Sequence, residues 1–541
     1  MRDPATARRA VSAAVAVGLL GVAGWAGAQG LTWRTVANMG DLLPGTTANF
    51  NSFNQPSVNA AGLVVFRARS KGPNPIDGVY TRDMSPALRA MAVSAPIVPF
   101  VVRGTVVPQP NNTYYGASLA TFMEFPSIPR IDVASPLIAT RGQSQPVYTY
   151  LLPDGVTETR VGTSGIYTNP AGAPTTGASL LGAVSEKQPD DSFALTFPYY
   201  QVPGAPAGTR FDQFPGGPTV TDGSIIAWKG NYTDPSDGLG RTGVFYRDVT
   251  TMAGKAPTLV IASSNTVIPN QPAPGGVKFG STAPPSAANG VVVFTGLDNE
   301  DAPTLGGIYA ARLEQPPALK TLVGFGTRVP GETASVGFTR FGEGLSITTD
   351  ARFVSFWGAW GTETTPKTQM CPTDGNADLI AYCNSIYPLG YVVDIPVHQG
   401  IFVHDRLTGL TRAAAKTTQE GIVDFVYWVF SGAPPGVGDA SQELPRWRSS
   451  AFSAISGTAG VKYQVAFKAK RSGVDGIYVR QGADMGTPLV TVVETLTPAG
   501  GIDPAAPVDA LVTSVGVERD GFRQGALAVT VSMLYETVDT S

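Results

Sequence analysis

The sequence predicts an all-β protein, a β-propeller of about seven four-stranded blades closed by an N-terminal strand, and three observations carry that expectation. One string of residues returns about seven times along the 541-residue chain. Each copy alternates apolar and polar residues with a period of two, between turns of Gly, Asn and Asp. The chain also opens on a strand that matches the end of a repeat rather than its beginning.

The repeat is plainest in FNQPSVNAAGLVVFRARSKGPNPIDGVYTRD at 53–83 and FGSTAPPSAANGVVVFTGLDNEDAPTLGGIYAAR at 279–312. Further copies start at Phe214, at Phe341 with a distant GIFVHDR at 400–406, and at Phe452. Weaker ones start at Phe125 and Leu511. Each unit, of roughly 70 residues, reads as a short strand around a Ser or Thr, a tight turn such as Asn59 to Gly62, and an alternating strand such as Leu63 to Ala68. A variable loop, a Gly-Val/Ile-Tyr/Phe strand and a fourth apolar strand follow, for instance Thr258 to Ala262 or Leu489 to Val493. One twisted four-stranded unit cannot bury both faces, so neighbouring units must stack and the array must close.

Closure is written into the ends. LTWRTVANMGDLLPG near the start resembles LKTLVGFGTRVPG at 319–331, a last strand with its exit loop, while the terminal copy runs out early. Residues Leu31 to Asn38 are therefore expected to complete the final blade. The interval Val161 to Asp212 holds either an eighth divergent blade or a large insertion with a short helix around Gly177 to Val184.

The pattern N-x-x-G-x-V-x-F followed by G-I/V-Y/F resembles a class of exported bacterial repeat proteins of the β-propeller type, most of them without a known function. The resemblance spans nearly the whole mature chain. It implies a fold and supplies no catalytic residue.

Export is read from the N-terminus. Arg2, Arg8 and Arg9 precede an uncharged apolar run, and Ala26-Gly27-Ala28 gives the small-x-small cleavage pattern, so residues 1–28 read as a signal peptide and the mature chain as starting at Gln29. Residues 29–541 then form a single propeller domain with an insertion at about 361–399. No later apolar stretch is long enough to span a membrane as a helix. The expected compartment is periplasmic or extracellular, where Cys371 and Cys383 would form one disulfide inside that insertion.

Composition narrows the partners. A 43% hydrophobic and 15% charged chain has the material for a large core, and its net charge of −3 excludes a whole-protein attraction to nucleic acid. Two histidines and two cysteines leave too few ligands for zinc, and no cofactor is expected. The acidic clusters Asp298, Glu300, Asp301 and Asp374, Asp378 do not reproduce a calcium loop.

Loops between second and third strands, and from unit to unit, are the long ones, and both sets leave a propeller on one face. Ligand-binding residues are expected there: Arg69 and Lys71, Lys470 and Arg471 as a basic patch beside the closing blade, and Trp357 and Trp360 as stacking surfaces, with Trp428 and Trp447 in the next long connection. His404 falls where other copies carry Arg82, Arg247 and Arg480, a structural position. Two readings of function follow. One is a non-enzymatic binding or scaffold protein that meets a glycan, an anionic polymer or a protein. The other is a secreted polysaccharide lyase or hydrolase, in which His398, Tyr199 or Tyr200, and Arg241 would supply base and cation. No G-x-S-x-G, HExxH or P-loop motif adds weight to the second.

Overall fold

The computed structural model describes residues 8–19, 31–72, 75–91, 94–108, most of 114–169, 184–187, 193–196, 201–249, 257–270, 276–372, 377–431, 434, 445–457, 463–482 and 486–536. Among these the chain is almost wholly antiparallel β. Seven larger sheets and four two-stranded hairpins are joined by loops, with two short α-helices, Pro86–Ala90 and Ala377–Ile386.

The fourth sheet shows the common plan. Ser281–Thr282 and Ser286–Ala288 together pair with Val291–Leu297, which pairs with Gly306–Arg312, which pairs with Lys320–Gly324. The first, fifth and sixth sheets repeat it, each with a first strand split in two. The third keeps four strands, and the second shows three strand positions among the described residues. Among the described residues the larger sheets fall on the sequence copies.

Side-chain packing explains the repeated residues. Phe279, on the approach to the first strand, sits 5.0 Å from Tyr309 of the third strand, ring edge to face at 89°. It also covers Gly296 of the second strand, where an added Cβ would stand 2.5 Å from its ring. The same pair recurs as Phe50 and Tyr80, Phe122 and Tyr167, Phe211 and Phe245, and Phe338 and Phe402. The motif glycine two places before the third-strand aromatic is required because the ring folds back over it. A Cβ on Gly78 would meet Tyr80 at 2.8 Å, and one on Gly476 would meet Tyr478 at 2.5 Å. A β-bulge between that aromatic and the residue before it recurs in the first, third, fourth, fifth and sixth sheets and bends the outer strand away.

The turn asparagine works in two directions. Asn59 accepts a hydrogen bond from Leu63 N at 2.9 Å, closing the hairpin turn, and donates from Nδ2 to Ser135 O on the next sheet. First-strand Ser and Thr residues likewise bond across sheets. Ser57 donates to Pro129 O, Ser286 donates to Leu345 O, and Thr219, Ser346 and Ser456 accept from Ala287 N, Ile455 N and Gly525 N. These bonds place the first strands beside one another in chain order: Ser57–Val58, Arg130–Ile131, Thr219–Thr221, Ser286–Ala288, Ser346–Ile347, Ser453–Gly457 and Leu511–Arg523, which returns to Ser57–Val58. The order closes on itself.

The seventh sheet joins the two ends of the chain. Its strands run Leu511–Arg523, Ala526–Glu536, Arg8–Leu19, Thr32–Ala37. The N-terminal strand expected to finish this sheet does form its outer edge. It does not lie against the C-terminal strands, because Arg8–Leu19, read from sequence only as a leader, stands between them.

Between the second and third sheets the described residues hold a two-stranded hairpin, Val184–Lys187 with Phe193–Thr196. The expected helix at 177–184 falls outside the described residues up to 183, and Val184 itself begins a strand.

Candidate functional site

In an antiparallel sheet of this plan, the loop from second to third strand and the connection to the next sheet leave from the same end. The additions to the ring gather at that end. The largest is an arm: strands Phe353–Gln369 and Tyr391–Asp405 run on past their sheet, with a register break after Trp360, and carry Ala377–Ile386 at the tip. The Cys371–Cys383 disulfide braces that tip, with a Cα separation of 5.8 Å. A second hairpin, Tyr427–Ser431 with Arg446–Ser450, interrupts the first strand of the sixth sheet.

The arm and the hairpin pack on each other through aromatic rings. Tyr391 stacks on Trp447 at 5.8 Å and 7°, and Phe430 approaches Trp447 at 5.2 Å and Tyr387 at 6.0 Å. With Cys371, Cys383, Leu379 and Tyr382 they make a satellite core separate from those of the ring. Met370, Leu389 and Val392 remain exposed at the tip.

The base of the arm is anchored in polar contacts. Trp357 donates its indole N–H to Gln399 Oε1 at 3.0 Å, and the same amide donates to Asp424, which pairs with Lys367 of the arm. His398 lies 3.3 Å from Glu363 and stacks on Trp360 at 5.9 Å. The Lys416 ammonium lies 5.5 Å from the centre of the Trp360 ring and pairs with Glu332.

The stacking role expected of Trp357 and Trp360 is not available to either ring. They are 8% and 6% exposed and belong to the cores between sheets, because their strand positions alternate into the stacked faces rather than the loops. The basic residues are differently placed. Lys71 and Lys470 are exposed, Arg69 is exposed and donates to Ser52 Oγ, and Arg471 donates to Glu420 O and covers Tyr478. The first and sixth sheets both border the seventh, so the two basic pairs stand on either side of it.

The residues of the enzyme reading do not converge among the described residues. Arg241 is held by Asp234 and Asp237 on its own sheet, and His398 by Glu363 and Trp360 on the fifth. Tyr199 and Tyr200 lie outside the described residues, as does Asp374. His404 is buried, shares its Nδ1 with Thr411 at 3.0 Å, and is held below its ordinary pKa by burial. Its partner in register, Val354, corresponds to Val64 opposite Arg82 and Ile226 opposite Arg247, which establishes the structural position read from the repeat. Asp298 accepts from Asn299 N, Thr304 and Leu305 N, which makes it a turn-closing side chain. Among the described residues no group of three metal-ligating side chains occurs.

Sequence reading missed the centre. In Leu511–Arg523 the ladder to its partner breaks between Val517 and Phe522, and Glu518, Arg519, Asp520 and Gly521 bulge out of it. Arg519 donates to Pro284 O of the fourth sheet at 2.9 Å, and its own carbonyl accepts Ser346 Oγ of the fifth at 2.5 Å. Glu518 and Asp520 pair with Arg130 of the second sheet at 2.6 and 2.5 Å. Arg523 donates to Ile455 O of the sixth and pairs with Asp520 at 2.6 Å, and a Cβ on Gly521 would stand 3.4 Å from Pro56 O of the first. A segment of one sheet that meets five others can lie only where they converge. All five charged side chains are buried. Burial pushes Arg519 down to about 10; at Asp520 burial acts upward, and Arg130, Arg523 and Arg519 outweigh it and hold the carboxyl below its ordinary range. The visible signal was three consecutive charges in an otherwise apolar strand.

A recess of about 600 Å³ opens at the rim between Thr32–Ala37 and the first sheet, lined by Arg82, Asn38, Asp41 and Asp83 among others. Its polar groups are spent on structure: Arg82 donates to Val36 O and Ala95 O, Asn38 donates to Asp41 and Asp503, and Asp83 accepts Ser85 N.

No family model matches the chain, and no curated protein matches it. Among solved structures it is similar to the periplasmic gluconolactonase of Pseudomonas aeruginosa, at 12% identity over 82% of this chain and 99% of that one, with a TM-score of 0.22. It is also similar to the tricorn protease, at 10% identity over 89% of this chain and 57% of that one, with a TM-score of 0.17. Likenesses of that size carry no argument about chemistry.

Proposed function

We propose that the chain is an exported seven-bladed β-propeller that binds an anionic glycan or comparable acidic polymer outside the cytoplasm and does not turn it over. The observation that supports this most is the contrast between the two places a ligand could reach. The convergence of the sheets is occupied by a buried network of ion pairs, whereas the long-loop end carries exposed cations on either side of the seventh sheet and a disulfide-braced arm. The disulfide fits an oxidising compartment and hence the leader reading of residues 1–28. Lys470, Lys71 and Arg69 are exposed to phosphate, sulfate or carboxylate groups, and attraction of that kind weakens with salt.

The enzyme reading lacks its constellation. Among the described residues His398 has a carboxylate partner, Glu363, while Lys416 pairs with Glu332 and Arg241 with Asp237.

The test is retention of the exported protein on an immobilised acidic polysaccharide. Binding is expected to elute at moderate salt, with Lys470→Ala combined with Arg69→Ala eluting markedly earlier, and with no rise in ultraviolet absorbance from unsaturated products. Absence of retention, or retention indifferent to both substitutions, contradicts the reading. Product formation that His398→Ala abolishes replaces it with the lyase.

A further inference from the structure

The strand order of the seventh sheet conflicts with the export of the chain in a specific way. Arg8–Leu19 pairs antiparallel with Ala526–Glu536 from Arg8 opposite Glu536 to Leu19 opposite Ala526. On its other side it pairs antiparallel with Thr32–Ala37, from Val15 opposite Ala37 to Leu19 opposite Thr32. The same residues are the positive end and apolar run of the segment read as the leader. Cleavage after Ala28 would take the third strand out of this sheet.

The flanking strands cannot simply close up. Each is antiparallel to Arg8–Leu19, so they are parallel to one another, and joining them would require a parallel ladder in a sheet that is otherwise antiparallel. They also stand two strand spacings apart, about 10 Å. The outer strand is fixed where it is: Val36 and Ala37 are fully buried against Phe50 and Leu43, Arg82 donates to Val36 O, and Asn38 donates to Asp503 at 2.9 Å. Leu31 and Trp33 pack on the core of the seventh sheet. The inner strand, with Leu527, Val529 and Val531 buried, is equally held.

We infer that the mature protein carries a strand-wide slot between Ala526–Glu536 and Thr32–Ala37, and that this slot accepts an extended segment of a partner polypeptide. The incoming strand runs antiparallel to Ala526–Glu536 and is rich in small and β-branched residues. That composition is the one of the segment that occupies the position within the chain itself, RRAVSAAVAVGL, whose backbone runs beside Phe50–Phe53. Backbone hydrogen bonds to two waiting edges supply the affinity, and the small-residue pattern supplies the selection. The inference rests on the leader reading and is independent of the acidic-polymer reading.

The experiment uses the exported protein, its N-terminus established by mass spectrometry, and a synthetic peptide of residues 8–19. The peptide is expected to bind saturably, to raise the unfolding temperature by a few degrees and to slow amide exchange in 526–536. The same peptide with Val17→Pro, which puts a proline where the segment pairs with Ala528 on one side and Arg34 on the other, is expected to bind at least about tenfold more weakly. No binding, or equal binding by the proline peptide, overturns the acceptor slot and leaves the export reading standing. An exported protein that still carries residues 8–19 overturns the acceptor slot together with the cleavage on which it rests.

Discussion

Replacing Asp520 with alanine is expected to lower the stability of the protein by about 3–5 kcal/mol, the cost of leaving a buried charge without its partner. Asp520 bonds Arg130 at 2.5 Å and Arg523 at 2.6 Å, and all three side chains are buried at the convergence of the sheets. Three guanidiniums, on Arg130, Arg519 and Arg523, face Glu518, Asp520 and the nearby Asp132. Without Asp520 the positive charges outnumber the negative among these buried side chains, and the bulge keeps only Glu518 to pair with Arg130 of the second sheet. Asp237→Ala is the control. It breaks a partly exposed pair with Arg241, and pairs of that kind contribute about 1 kcal/mol or less. Urea unfolding of both variants checks the expectation, and a midpoint for Asp520→Ala close to that of the control would contradict it.

Phe279→Ala is expected to cost about 3–5 kcal/mol for a different reason, the cavity left by a buried ring. Phe279 is buried, meets Tyr309 edge to face at 5.0 Å and covers Gly296, so the glycine leaves nothing that could relax into the space. The equivalent residues Phe50 and Phe338 pack on Tyr80 and Phe402 in the same geometry, and alanine at either should fall in the same range. Thermal unfolding followed by near-ultraviolet circular dichroism measures it. A loss below about 1 kcal/mol at all three sites would mean that the repeated aromatic pair is not what holds each sheet together.

The strands were legible because their cause is local. Period-two alternation, the bond by which Asn59 closes its own turn and the Gly-x-aromatic of Gly78 to Tyr80 each act within one sheet, so the copies read from sequence fall on sheets. The roles of the tryptophans were not legible, since the side of the strand on which Trp357 and Trp360 lie depends on where the arm leaves the ladder, beyond Trp360. The central network was hidden for a stronger reason. Arg130 and Asp520 are separated by 390 positions in the chain, and nothing local marks them as partners. Arg8–Leu19 shows the limit from the other side: an Ala- and Val-rich run satisfies the pattern of an export signal and that of a strand equally well.

The sheets converge on the bulge of the seventh, and the proposed binding surface lies away from it, at the long-loop end. A crystal structure of the protein tests that arrangement most directly. The expected result is seven sheets around an axis filled by Glu518, Arg519 and Asp520, with Arg130 and Arg523 bonded to them. An open, water-filled channel along the axis, or a ring of a different number of sheets, would contradict it.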